Sequence, residues 1–347
     1  MSEQAFAGVR AATRRIATEE AFVIPEIAAA HKMIAEAPGA SLDLPLLRAI
    51  YASPPGKSLF LDRLLDLDEL RIADMDENGV DVELLSLTAP GVQMFDADTG
   101  TALAALANDR LAEAIARHPG RYAGLASFAP QSPKRAAEEM RRAIEGLGLN
   151  GFVVNSHTND EYLDHPKYWP VLEAAEALDA CIYIHPRGAS AGLADALRDY
   201  GLWAAMWGYG VEVSTHALRL IASGVLDRFP RLKLCLGHMG EALHFWAWRL
   251  DFMQRRNEET GWGPRLELRP SEYLQRNFVI TTSGQESHLA LDFSIKALGA
   301  QRVLWAIDYP YQPTAPAVAF LDSAPISEED RSLIYHQNAE RVFHIAP

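Results

Sequence analysis

The chain has 347 residues, 49% of them hydrophobic and 22% charged, with a formal net charge of −14. So acidic a molecule repels nucleic-acid phosphates and anionic lipid headgroups, which excludes both as expected partners and leaves small molecules. Its two cysteines, Cys181 and Cys235, lie in separate apolar runs without a CxxC neighbour, which excludes a disulfide framework and a zinc knuckle and reads as buried thiols.

The first residues show no basic segment followed by an apolar run, and no apolar stretch approaches the roughly 20 residues of a membrane span. A soluble, cytoplasmic protein without a membrane or nucleic-acid partner is expected. From Arg15 onward, eight short apolar or β-branched runs read as strands: 15–22, 80–88, 121–129, 151–156, 180–186, 232–240, 278–284 and 302–308. Between them, stretches such as 98–118, 132–147, 166–179 and 286–298 carry apolar residues every three or four positions, the period of an amphipathic helix. Strands that alternate with helical crossovers are parallel, and eight such units in one chain predict a single (β/α)8 TIM barrel spanning 1–347. No Gly-rich phosphate turn follows the first strand, as an open dinucleotide-binding sheet would require. Two connections are long: about 25–60, expected to form a lid or interface segment, and about 187–217, which carries WAAMWGYG.

Polar residues gather where the strands end, the face on which a barrel of this kind places its chemistry. Strand one ends on Glu19 and Glu20, strand five on His185 before Pro186 and Arg187, strand six on His238 in GHMGE, and strand eight on Asp308 in AIDYPYQ. Taken singly, each histidine also reads as a buried core residue and Asp308 as a helix cap. Together they make a mixed nitrogen and oxygen set suited to a divalent transition ion or magnesium. Strand alternation places Ala17, Glu19 and Ala21 on the inner face, so Glu19 is the expected ligand, with Glu20 making a salt bridge or capping a neighbour on the outer side.

The segments ATEEAF, YIHPR, GYGVEVSTHALRLI, GHMGE and DYPYQ resemble the decarboxylase branch of the amidohydrolase superfamily, the aminocarboxymuconate semialdehyde decarboxylase-like enzymes. RLLDLDELRIADMDENGVD, LTAPGVQ, NSHT and GHMGEALHFWAWRLD are most similar to the 5-carboxyvanillate and other ortho-hydroxybenzoate decarboxylases. The resemblance implies one divalent ion (Mn, Zn or Mg) held by Glu19, His185 and Asp308, and a hydrogen-bonded pair, His238 with Glu241, beside a small aromatic carboxylic acid substrate. Arg249 matches a substrate-contacting arginine. A homodimer or homotetramer is also implied. Lys57 is the one offer for a loop arginine, while Arg187 and His244 depart from the usual residues and bear on specificity.

In the implied reaction the substrate chelates the ion and Asp308 protonates the ring carbon that loses carbon dioxide. The alternative is hydrolysis of a lactone or amide by metal-activated water on the same barrel; a non-catalytic binder of phenolic ligands is a further class. Thr88 and Tyr311 either line the ring pocket or satisfy backbone, and His157 either touches substrate or holds its loop. Trp203, Trp207 and Tyr209 read as an aromatic wall, packing or a subunit interface. His216 is expected to be structural, and His336 and His344 are given no role.

Overall fold

The computed structural model describes residues 13–52, 58 and 60–347. Eight strands follow one another in both sequence and space: β1 (Ile16–Phe22), β2 (Val82–Leu87), β3 (Tyr122–Ser127), β4 (Gly151–Asn155), β5 (Ile182–His185), β6 (Leu234–Leu236), β7 (Phe278–Thr281) and β8 (Val303–Leu304). Each pairs in parallel with the next, and Thr18 N–H to Trp305 O (3.1 Å) and Ala21 N–H to Tyr309 O (2.7 Å) join the two ends. This is the expected (β/α)8 barrel. Among the described residues no helix is long and apolar enough to cross a membrane.

Alternation sorts the side chains into two layers. Ile16, Leu84, Leu125, Val153, Tyr183, Cys235, Val279 and Leu304 fill the barrel, and Val342 and Phe343 pack with them. Their neighbours, such as Ala17, Leu85, Val154, Ile184, Leu236 and Ile280, belong to a second core shared with the surrounding helices. Both cysteines are free and buried.

β1 departs from the sequence expectation. Ile16 lies in the inner core, whereas Ala17 and Ala21 lie in the outer one. The register against β2 shifts between Ala17 and Glu20, a β-bulge that breaks strict alternation. Glu19 faces inward because of that bulge, not because it shares a face with the two alanines.

β8 is also shorter than its apolar run. Beyond Leu304 three of its amides are held by side chains: Thr282 Oγ1 accepts from Ala306 N–H, and Glu20 accepts from Ile307 and Tyr309 N–H. The first long connection contains helices Pro25–Glu36 and Leu44–Tyr51, which pack on each other and bury Leu47, Ile50 and Tyr51. Helix Gly208–Ala222 ends the second one.

Candidate active site

Glu19 is 3% exposed at the barrel mouth. Its Oε2 accepts hydrogen bonds from the hydroxyls of Tyr183, Thr281 (2.9 Å) and Ser283, so that oxygen is saturated. Its Oε1 is buried without a hydrogen-bond partner and lies 3.5 Å from His185 Nε2 and 3.6 Å from His238 Nε2. A Cβ at position 237 would stand 3.0 Å from both carboxylate oxygens, which is why a glycine follows β6. Burial alone would raise the Glu19 carboxyl, but His238, His185 and the donated hydroxyls outweigh it and hold it below the ordinary range.

His185 turns its Nδ1 toward Asn155 Oδ1 (3.1 Å) and Pro186 O (2.9 Å), two acceptors that keep the proton on that nitrogen. Nε2 is thereby left with its lone pair facing Glu19. Burial, and secondarily His238, hold this imidazole below its usual pKa against the pull of Glu19, so it is neutral as a ligand must be.

Asp308 completes the group. Candidate ligand atoms of Glu19, His185 and Asp308 all lie within 4.8 Å of one another. Burial and then the Glu19 charge push the Asp308 carboxyl well above its usual pKa, with His238 opposing. One imidazole nitrogen and two carboxyl groups, one of them carrying the orphaned buried oxygen, fit a single divalent ion.

His238 opens an unusual turn: His238, Met239, Gly240, Glu241 and Ala242 all have φ between 51° and 63°. Left-handed backbone costs an L-residue about 1–2 kcal/mol, so a run of this kind needs a return. Here it brings Glu241 Oε1 to 2.8 Å from His238 Nδ1 and leaves Nε2 directed at Glu19. Gly210 leaves room for the Glu241 carboxylate, since a Cβ there would meet Oε2 at 2.9 Å. Burial opposes a charge on His238, but Glu19, Glu241 and Asp308 together hold its pKa up at about 10.

The Amidohydrolase family model matches residues 59–345. The chain belongs to the amidohydrolase family. The crystal structure of 5-carboxyvanillate decarboxylase from Sphingomonas paucimobilis is 53% identical, with a TM-score of 0.94 over 96% of this chain and 100% of that one. A 5-carboxyvanillate decarboxylase from Novosphingobium aromaticivorans, complexed with manganese and 4-hydroxy-3-methoxy-5-nitrobenzoic acid, is 38% identical, with a TM-score of 0.92 over 96% and 97% of the two chains. Gamma-resorcylate decarboxylase from Polaromonas sp. (strain JS666) is 37% identical over 294 residues, 82% of this chain and 89% of that protein. The resemblance read from the sequence is met.

In this amidohydrolase the wall near Asp308 is aromatic and polar. Tyr311 and Thr88 share a 2.6 Å hydrogen bond, Phe60 packs against the Tyr311 ring at 5.1 Å, and Tyr209 is an electrostatic neighbour of both Tyr311 and Asp308. Arg187 is buried and paired with Asp43 of the first long connection, whose Oδ1 also accepts from Gly188 N–H at 2.8 Å. It is a clamp and not a free cation. His157 has both ring nitrogens engaged by backbone, at Gly188 O (3.0 Å) and Asp160 N–H (3.3 Å), and therefore holds its loop. His216 is structural as expected, bonded to Leu163 N–H and Ser156.

His244 sits against Ser294 and the Phe293 ring, which makes it a packing residue. Arg249 lies exposed on helix Ala247–Thr260, beside Trp248, and among the described residues forms no hydrogen bond or ion pair with the cluster. Lys57 lies outside the described residues. Sequence reasoning missed Tyr183, Thr281, Ser283 and Asp43. Tyr183 carried a signal, because it stands two residues before His185 and so shares its face.

Proposed function

We propose that this amidohydrolase is a metal-dependent carboxy-lyase that removes carbon dioxide, without an oxidant, from an ortho-hydroxybenzoic acid, with 5-carboxyvanillate as its substrate. The observation that carries the reading is geometric: candidate ligand atoms of Glu19, His185 and Asp308 lie within 4.8 Å of one another, with the hydrogen-bonded His238–Glu241 pair directed at the same Glu19 oxygen. The substrate choice follows the similarity, which is greater to the Sphingomonas 5-carboxyvanillate enzyme than to the gamma-resorcylate one.

Glu19, His185 and Asp308 would hold one divalent ion, manganese being the first choice because the Novosphingobium relative carries it. When bound, the ion supplies a positive charge on which phenolate and carboxylate oxygens can chelate. The remaining steps belong to side chains. Asp308, having taken up a proton from the substrate's phenol or from solvent on binding, gives it to the ring carbon that bears the carboxylate, forming a C–H bond and interrupting aromaticity. The bond to the carboxylate then breaks, its electron pair restores the ring, and carbon dioxide leaves. Asp308 remains as a carboxylate and regains a proton from solvent through His238, whose ring Glu241 orients. Thr88, Tyr311, Phe60 and Tyr209 form the ring wall, with His157 behind it as a loop support.

The hydrolytic alternative is not favoured, since the similar proteins are named decarboxylases. The proposed working form is a homodimer or homotetramer that covers the exposed aromatic pairs Phe245–Trp246 and Trp248–Phe252. Arg249, exposed next to Trp248 on helix Ala247–Thr260, is placed at this interface. The two buried free thiols suit a cytoplasmic location. The test is carbon dioxide release from 5-carboxyvanillate, 2,6-dihydroxybenzoate and salicylate by protein reconstituted separately with Mn, Zn and Mg. Release from 5-carboxyvanillate with Mn is expected. Turnover of lactones or amides, with none of the acids consumed, would overturn the assignment.

A further inference from the structure

We propose that Glu20 is the positioning residue for Asp308, an inference that rests on the decarboxylase reading for its catalytic consequence and on geometry for everything else. Glu20 is completely buried at the seam between β1 and β8. Its Oε1 accepts from Ile307 N–H at 3.0 Å and its Oε2 from Tyr309 N–H at 2.9 Å, so one carboxylate brackets Asp308 from both sides.

The bulge explains why a side chain does this. Within and just after it, Thr18 and Ala21 N–H reach Trp305 O and Tyr309 O, as a parallel ladder would. Between those two bonds, the amides of Ile307 and Tyr309 meet the Glu20 carboxylate in place of β1 carbonyls. An amide left unpaired in such a site costs about 1–3 kcal/mol, and the two Glu20 oxygens supply one acceptor to each of these amides.

Asp308 needs that hold. It is a non-glycine residue at φ 75°, a conformation that persists only where its surroundings over-determine it. Tyr311 and Gln312 N–H fix its carbonyl at 2.8 and 3.0 Å, while Glu20 fixes the peptides before and after it. Behind Glu20, Arg71 donates to Glu83 at 2.8 Å and to Ala21 O, and its guanidinium lies 4.5 Å from the Tyr309 ring centre. The paired acids of β1 therefore divide the work: Glu19 faces the cluster, and Glu20 sets the backbone that carries the third member.

Glu20→Gln tests this, because the amide keeps the shape and one acceptor but turns an NH2 toward the second amide. Three readouts are compared with wild type: hydrogen exchange at amides 307 and 309, Mn affinity, and kcat against KM. Faster exchange confined to 307–309 is expected, with losses on the order of 10- to 100-fold in Mn affinity and kcat and KM little changed. A variant with protected amides and unchanged Mn affinity and kcat, differing only in melting temperature, would overturn the proposal. If Glu20→Gln does not fold, Glu20→Asp takes its place, keeping the carboxyl group but shortening the reach; wild-type behaviour in all three readouts would again overturn it. Exchange and Mn affinity judge Glu20 even if no acid is decarboxylated, so the two readings fail separately.

Discussion

Glu19 does two things with one carboxylate: three hydroxyls fill one oxygen, and the other is left bare between two imidazoles. Removing it should therefore release the ion as well as the activity, whereas Asp308→Asn should retain part of the ion binding and lose turnover by at least about 10²-fold, the contribution typical of a positioned acid. Mn binding measured beside kcat separates the two; an active Asp308→Asn protein would remove the proton-donor role. Much of this cluster was legible because ligand types at the ends of strands one, five, six and eight have one shared place to point. The reason given for Glu19 over Glu20 was wrong, since a bulge, invisible in a residue pattern, sets the face. Tyr183 was readable by its two-residue spacing from His185, whereas Thr281 and Ser283 gave no sign that they would serve Glu19.

At the level of elements, the first long connection is tied to β5 through Asp43 and Arg187, both almost fully buried. Their pairing spans 144 positions in sequence, which explains why Arg187 read as a specificity residue rather than a clamp. Breaking a buried pair by removing one partner leaves an uncompensated charge, so Asp43→Asn or Arg187→Met should each destabilise by about 3–5 kcal/mol, and the double variant by much less than the sum. Denaturant unfolding of the four proteins checks this; additive losses would show that the two charges are independent. The same singles should raise KM, because the connection they anchor carries Tyr51 and leads to Phe60 at the ring wall. Helix positions were well signalled by apolar period, with residues 98–118 and 286–298 observed as Ala97–Arg117 and His288–Leu298. The left-handed turn at 238–242 was not, since only one of its five residues is a glycine.

Across the whole molecule, the alternation of strand and helix was enough to read the barrel, and burial on both faces of every strand explains why the runs were nearly continuous in apolar residues. What covers the outside was less legible, because aromatic residues at irregular spacing suit a core and an interface equally well. Trp248 is 74% exposed and stacks on the exposed Phe252 at 5.3 Å, the aromatic surface proposed above as an interface. Light scattering should give a mass that is a multiple of 38.3 kDa, and Trp248→Glu with Phe252→Glu should shift it toward one chain; a monomeric parent would remove the interface. The central claim, that Asp308 protonates a ring carbon as carbon dioxide departs, is tested most directly by running the Mn-loaded enzyme on 5-carboxyvanillate in D2O. One equivalent of carbon dioxide and one deuterium at the vacated ring position are predicted. Product with hydrogen there, or a ring that keeps its carboxylate while another bond is hydrolysed, would contradict the account.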